Sequence, residues 1–227
     1  MSKQKKISRG SKHYQRRKPK YPSTGKAFLI VTEGEKTEPN YFIALRERLQ
    51  LKATNVVLIH PEGTDPITLL KKAIELRSER KRESKKGSGV AYDEVWIVYD
   101  LEKPHDERRE IAKRARALKE AEGIKFGESD PCFEFWLLLH KEFTTAQFVD
   151  CDAVIVRLKN HVPDYSKGWT PSAEFLNKLL DAIERAQRCR KHHKDTNGDG
   201  NPGTAVDILT SNLNRATRPD LRIKKQP

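Results

Sequence analysis

Lys26-Ala-Phe-Leu-Ile-Val-Thr32-Glu33-Gly34, followed by Glu38-Pro39-Asn40-Tyr-Phe-Ile-Ala-Leu-Arg-Glu-Arg-Leu-Gln50, reads as a strand, a tight turn and a helix. Residues 27–31 are an unbroken apolar run of strand length, as a strand buried on both faces requires. Pro39 suits the first helical turn, where a missing N–H leaves no bond unmade, and Tyr41, Phe42, Leu45 and Leu49 fall on one helical face. The same unit returns twice. Asn55–His60 is a strand, Pro61–Asp65 a turn, and Pro66 to about Arg82 a helix with Ile67, Leu70, Ile74 and Leu76 apolar. After a charged stretch over 81–89, Asp93–Tyr99 is a third strand, with an acidic turn from Asp100 and a helix over 106–121. Buried strands alternating with helices predict parallel units that cross right-handedly in an open sheet, whose ligand sites lie at the carboxyl ends of the strands. A short fourth strand is predicted over 124–129, and helices over 132–140, 152–161, 171–192 and 205–216. The expected class is α/β: an open, mostly parallel sheet with flanking helices and a helical C-terminal extension.

Charge divides the chain further. The net charge is +13, which favours a polyanionic partner. Residues 1–26 hold ten Lys/Arg and no acid, so the remainder carries only +3. We therefore read residues 1–25 as a disordered basic arm, too poor in apolar groups to offset the entropy of ordering, serving as a phosphate-binding or simply solubilising tail. Residues 26–145 are expected to form the α/β core and 146–227 the helical extension packed on it.

Cys132, Cys151 and Cys189 form no CxxC pair and are odd in number, which argues against a disulfide framework or zinc ribbon and for a reducing, cytoplasmic setting. No apolar run approaches the roughly 20 residues of a membrane span. No apolar segment follows the N-terminal charges as a signal peptide would demand.

The chemistry is concentrated in carboxylates. Glu33 ends the first strand, and Asp100 and Glu102 follow the third; if those strands are neighbours, three carboxylates meet in one crevice. Mg²⁺ or Mn²⁺ needs such hard oxygen ligands, and a bound metal can activate water and offset charge on a phosphate. Singly, an acid after a strand is more often a cap or a solvated turn residue. Gly34, directly after Glu33, permits a close backbone approach at the same strand end.

These residues carry a resemblance. Val31-Thr-Glu33-Gly34-Glu-Lys-Thr37-Glu38 is similar to the opening motif of Toprim domains, the fold shared by topoisomerases, bacterial primases and overcoming-lysogenization-defect nucleases. It is closest to the EGxxTE form of those nucleases and of RloB proteins. Asp130-Pro-Cys-Phe-Glu134-Phe-Trp-Leu-Leu-Leu-His140 and Asn201-Pro-Gly-Thr204-Ala-Val206 resemble two further RloB motifs, so the likeness spans about Lys26 to Leu213. It implies a Toprim fold, with Glu33 as general acid/base or metal-side glutamate and the acids after the third strand as metal ligands. The usual Asp-x-Asp is Asp100-Leu-Glu102 here, one methylene longer, and Asp106 stands near enough in sequence to compensate.

Glu134 lies in an apolar segment, where a carboxylate is costly unless paired or metal-bound, and it is expected to face the crevice. His140 shares a helical face with Phe133, Trp136 and Leu137; a hydrogen-bonded residue at the core edge is its simpler reading, and a catalytic role with Glu33 and Glu134 its functional one. Lys36, Lys103, Arg188 and Lys191 are candidate nucleic-acid contacts, with Tyr165, Lys167 and Trp169 as a modest stacking-plus-charge surface. The basic run at the end of the 171–192 helix also suits the negative end of a helix dipole. Asp195–Gly200 matches half an EF-hand loop but has Val206 at its twelfth position, and Cys189, His192 and His193 lack a second ligand pair. No GxxxxGK[ST] loop is present. Together with the carboxylate pattern, the resemblance implies a metal-dependent endonuclease acting on DNA or RNA, transfer RNA included, in antiphage defence. The resemblance implies a partner ATPase of the AAA or ABC type; a homo-oligomer is compatible. The rival is a non-catalytic nucleic-acid-binding or regulatory subunit of such a system.

Overall fold

A computed structural model describes residues 25–53, 56–63, 65–102 and 105–225, with backbone alone at 105–106. The basic arm over 1–24, Lys103 and the side chain of Asp106 lie outside the described residues. Five strands form one sheet: β1 (Phe28–Thr32), β2 (Val56–Ile59), β3 (Glu94–Asp100), β4 (Ile124–Asp130) and β5 (Gly203–Thr204), in the spatial order β2-β1-β3-β4-β5. The first four are parallel, and β5 pairs antiparallel with β4. The helices are α1 (Thr37–Arg48), α2 (Pro66–Lys85), α3 (His105–Ala117), α4 (Glu134–Leu139), α5 (Cys151–Lys159), α6 (Ala173–Leu176), α7 (Leu179–Thr196) and α8 (Val206–Ala216).

Both sheet faces are covered, which is why the strands read as continuous apolar runs rather than alternating ones. Along β1, Phe28 and Ile30 face a core built from Tyr41, Phe42 and Leu45 of α1 and from helices α4 to α8. Leu29 and Val31 face the opposite core, with Leu69, Leu70 and Ala73 of α2 and Ala112 and Ala115 of α3. Strand β3 divides in the same way: Trp96 and Val98 lie on the first face, Val95, Ile97 and Tyr99 on the second. Asp65 caps α2 by accepting from the backbone N–H groups of Ile67 and Thr68, which fixes the turn after β2.

The α/β expectation holds, with an open, mostly parallel sheet and C-terminal helices consistent with a Toprim-like fold. Three local readings change. The helix expected over 171–192 is two pieces, α6 and α7, because Ser172 caps the first and Asn177 ends it. The helix expected over 106–121 stops at Ala117 and resumes as a single tight turn over Lys119–Ala121. Strand β5, two residues long, has no apolar periodicity by which to be recognised; Ser129 Oγ bonds Thr204 Oγ1 across it at 3.0 Å.

Cysteine chemistry is a correction. Cys132 and Cys151 are joined by a disulfide, with Cα atoms 5.6 Å apart, and only Cys189 is a free thiol. Spacing along the chain carried no sign that the turn before α4 would meet the start of α5. Among the described residues, no helix is long and apolar enough to cross a membrane.

Candidate functional site

Strand order places the acids. Because β1 pairs with β3 in the register Thr32↔Val98, the residue after β1 and the residue ending β3 emerge side by side. Glu33 N–H donates to Val98 O at 2.9 Å, extending the ladder by one bond, and the Glu33 carboxylate accepts from Asp100 N–H at 3.0 Å. Here, at the carboxyl edge of the sheet, a cleft of 610 Å³ opens, lined by Glu33, Glu38, Asp100, Glu102 and Glu134 together with Lys36, His60 and Lys167.

Glu38 reaches the cleft by a local device. It lies in the first turn of α1, one helical turn past Gly34, and its Oε1 accepts from Gly34 N–H at 2.9 Å. A Cβ at position 34 would stand 2.0 Å from Glu38 Oε2, so any larger residue there would displace that carboxylate. Glu134 arrives from the other side, 2% exposed on the first turn of α4, with Tyr165 Oη–H donating to its Oε1 at 2.7 Å.

Crowding of like charges dominates the electrostatics. Burial pushes the Asp100 carboxyl well above the ordinary aspartate range, and repulsion from Glu38, Glu134, Glu33 and Glu102 pushes it further. Glu38 is pushed up to about 7, chiefly by burial, with Glu134 and Glu33 adding to it. Glu33 is also raised by burial, although the Arg108 guanidinium and the Asp100 backbone N–H oppose the shift. Arg108 holds both Glu33 oxygens at 2.7 Å and donates from Nε to Asp100 O at 2.8 Å.

Do these residues fit a hard divalent cation? The donor set is all carboxylate oxygen, and Asp100 Oδ1 is buried with no hydrogen-bond partner. An orphaned buried acceptor among raised carboxylates is what a cation would satisfy. Glu33, Asp100 and Glu102 offer oxygens of the kind such a cation would need, with Glu38 and Glu134 in the same cleft. Among the described residues, three ligand atoms fall within 4.8 Å of one another at Cys132, Glu134 and Cys151, whereas Glu33, Asp100 and Glu102 share the cleft without closing to that spacing. The Arg108 guanidinium occupies the Glu33 carboxylate.

The other expected site residues divide. Lys36 is exposed on the cleft rim, and Glu102 lines its wall. His140 is not at the cleft, which corrects its catalytic reading. It is 1% exposed, its ring nitrogens meet Tyr41 Oη at 3.2 Å and Trp136 O at 3.0 Å, and its ring stacks on Phe175. Burial pulls its pKa down to about 3, so it is a neutral core residue. Arg188 lies over the Phe143 ring, 3.9 Å from its centre, and Lys191 is exposed on α7; neither lines the cleft. Tyr165 is buried, and Trp169 packs edge-on against it and against Phe175, so these rings form no open stacking platform; of that trio only Lys167 lines the cleft. Glu38, although within the quoted motif, was not singled out, and Arg108 had no sequence signal because only the fold brings α3 over β1.

Fold and cleft together define a Toprim-like α/β protein with an acidic pocket at the sheet's carboxyl edge. The family model described as RloB-like protein matches residues 28–213, and the chain belongs to that family. Comparison with curated proteins and with solved structures gives no match.

Proposed function

We propose that this protein is a Mg²⁺- or Mn²⁺-dependent endonuclease of DNA or RNA acting in antiphage defence. The observation that supports this most is Asp100: a raised, buried carboxylate with an unpartnered oxygen, set among four glutamates at the sheet's ligand-binding edge. The cleft wall carries seven carboxylates against two lysines and one histidine, so without a cation it repels a phosphodiester. A bound divalent ion would reverse that local field, offset charge on the scissile phosphate and activate a water. Glu33, Asp100 and Glu102 would hold it. Glu38, ionising near neutral pH, would accept a proton in the cleft, and Lys36 and Lys167, which line it, would steady a phosphate backbone. A nucleotide switch would come from a partner ATPase, and the setting would be the cytoplasm.

Arg108 favours the second reading, a binding or regulatory subunit, because it already neutralises Glu33 and would have to yield before a cation could use both oxygens. One experiment separates the two. Labelled DNA and RNA incubated with the full chain and Mn²⁺ should be cut, and Glu33→Gln should lower the rate by at least about 100-fold with the fold intact by circular dichroism. Binding that falls with salt and yields no product would establish the rival. Undiminished Mn²⁺-dependent cleavage by the variant would refute the role of Glu33.

A further inference from the structure

We propose that Cys132 and Cys151 form a thiol–disulfide exchange site for small disulfides of the glutathione class, whose state tunes the cation cleft through Glu134; the tuning rests on the metal-dependent reading above. Cys132 lies two residues before Glu134, and Cys151 is the first residue of α5. Their Cα separation of 5.6 Å is ordinary for a disulfide. Cys151 Sγ stands 3.3 Å from Glu134 Oε2, while the other carboxylate oxygen accepts from Tyr165 at 2.7 Å. In the dithiol, Cys151 can donate its S–H to Glu134. In the disulfide that hydrogen is gone, so Oε2 keeps its lone pairs for a ligand in the cleft that Glu134 lines.

Access favours a defined order of events. Both residues are buried, Cys132 fully and Cys151 to 9% exposure, so Cys151 is the more accessible of the two to an incoming disulfide. Its thiolate attacks one glutathione sulfur, forming a mixed disulfide and releasing one glutathione thiolate. The Cys132 thiolate then attacks Cys151 Sγ and releases the second. Two protein thiols become one disulfide, one glutathione disulfide becomes two thiols, and the two protons pass to the released thiolates. Cys189 takes no part: it is buried elsewhere, with its Sγ on Thr144 O. A metal held by Cys132, Glu134 and Cys151 fits less well, because a closed zinc site wants four ligands and two sulfurs bonded to each other are not two thiolates.

The test equilibrates the full chain in glutathione buffers from fully reduced to fully oxidised. Each sample is quenched with acid, denatured and alkylated with N-ethylmaleimide for intact mass, and parallel samples are titrated with Mn²⁺ by calorimetry. The expected result is three alkylated cysteines in the reduced chain and one, Cys189, in the oxidised chain. Mn²⁺ should bind about two- to fivefold tighter when oxidised, the effect of freeing a carboxylate from one weak donor. In the Cys132→Ser/Cys151→Ser double variant that difference should vanish. Three alkylated cysteines in every buffer, or a lasting glutathione adduct, overturns the exchange site. Loss of two alkylation sites with equal Mn²⁺ affinity, or a shift that persists in the double variant, overturns the tuning and leaves the metal reading standing. Absence of Mn²⁺ binding in both forms overturns the metal reading and the tuning with it, while the alkylation count still decides the exchange.

Discussion

Glu38 makes a measurable demand on the folded state. Its native pKa, pushed up to about 7 from 4.5, means that between those values the native carboxyl holds a proton the unfolded chain has released. Its contribution to stability is therefore complete below about pH 4.5 and is lost as pH rises to about 7; Asp100, also raised, acts in the same direction. Thermal melts in EDTA should show stability falling across this window, by at most about 1.4 kcal/mol per pH unit for each proton involved. Glu38→Gln should flatten the slope, and an unchanged slope would mean that this carboxyl is not buried among its neighbours. Divalent cation should bind better as pH rises, since its ligands must first lose their protons. The two trends are one fact: the acids that crowd the cleft are those that would hold an ion.

Between elements, the instructive contrast is between two residues of one segment. Glu134 and His140 lie six positions apart on and just beyond α4, yet Glu134 faces the cleft and His140 is sealed between Tyr41, Trp136 and Phe175. His140→Ala should destabilise the protein by about 2 to 3 kcal/mol, from the lost packing and the unpaired Tyr41 hydroxyl, while the folded fraction cleaves normally. A specific loss of turnover at full stability, read by comparing melting curves with rates, would restore its catalytic role. Strands β1 to β3 and the main helices were legible because burial on both sheet faces leaves apolar runs, and the convergence of Glu33 and Asp100 because a parallel sheet brings its strand ends to one edge. Arg108, Tyr165 and the Cys132–Cys151 bond were not legible. Each depends on how helices α3, α4 and α5 and the loop before Trp169 lie against the sheet, and no periodicity along the chain encodes that.

For the whole molecule, charge is divided between an acidic cleft and a basic chain. With seven acids in the cleft and a net charge of +13 overall, attraction for a polyanion must come from outside the cleft. Binding of the full chain to nucleic acid without added metal should weaken steeply with salt, its log association constant falling by about 0.9 per neutralised phosphate on duplex DNA and about 0.7 on single strands. Salt-independent binding would remove the polyanion from the account. Phosphate contacts would bring the substrate, and the ion would admit it to the acids.

The central claim, that carboxylates from two neighbouring strands hold one divalent ion, is tested most directly by calorimetric titration of Mn²⁺ into the full chain beside Glu33→Gln and Asp100→Asn. Saturable binding to the wild type, weakened at least about tenfold in each variant, is the predicted result. Equal affinity in all three proteins, or no binding by the wild type, would contradict it.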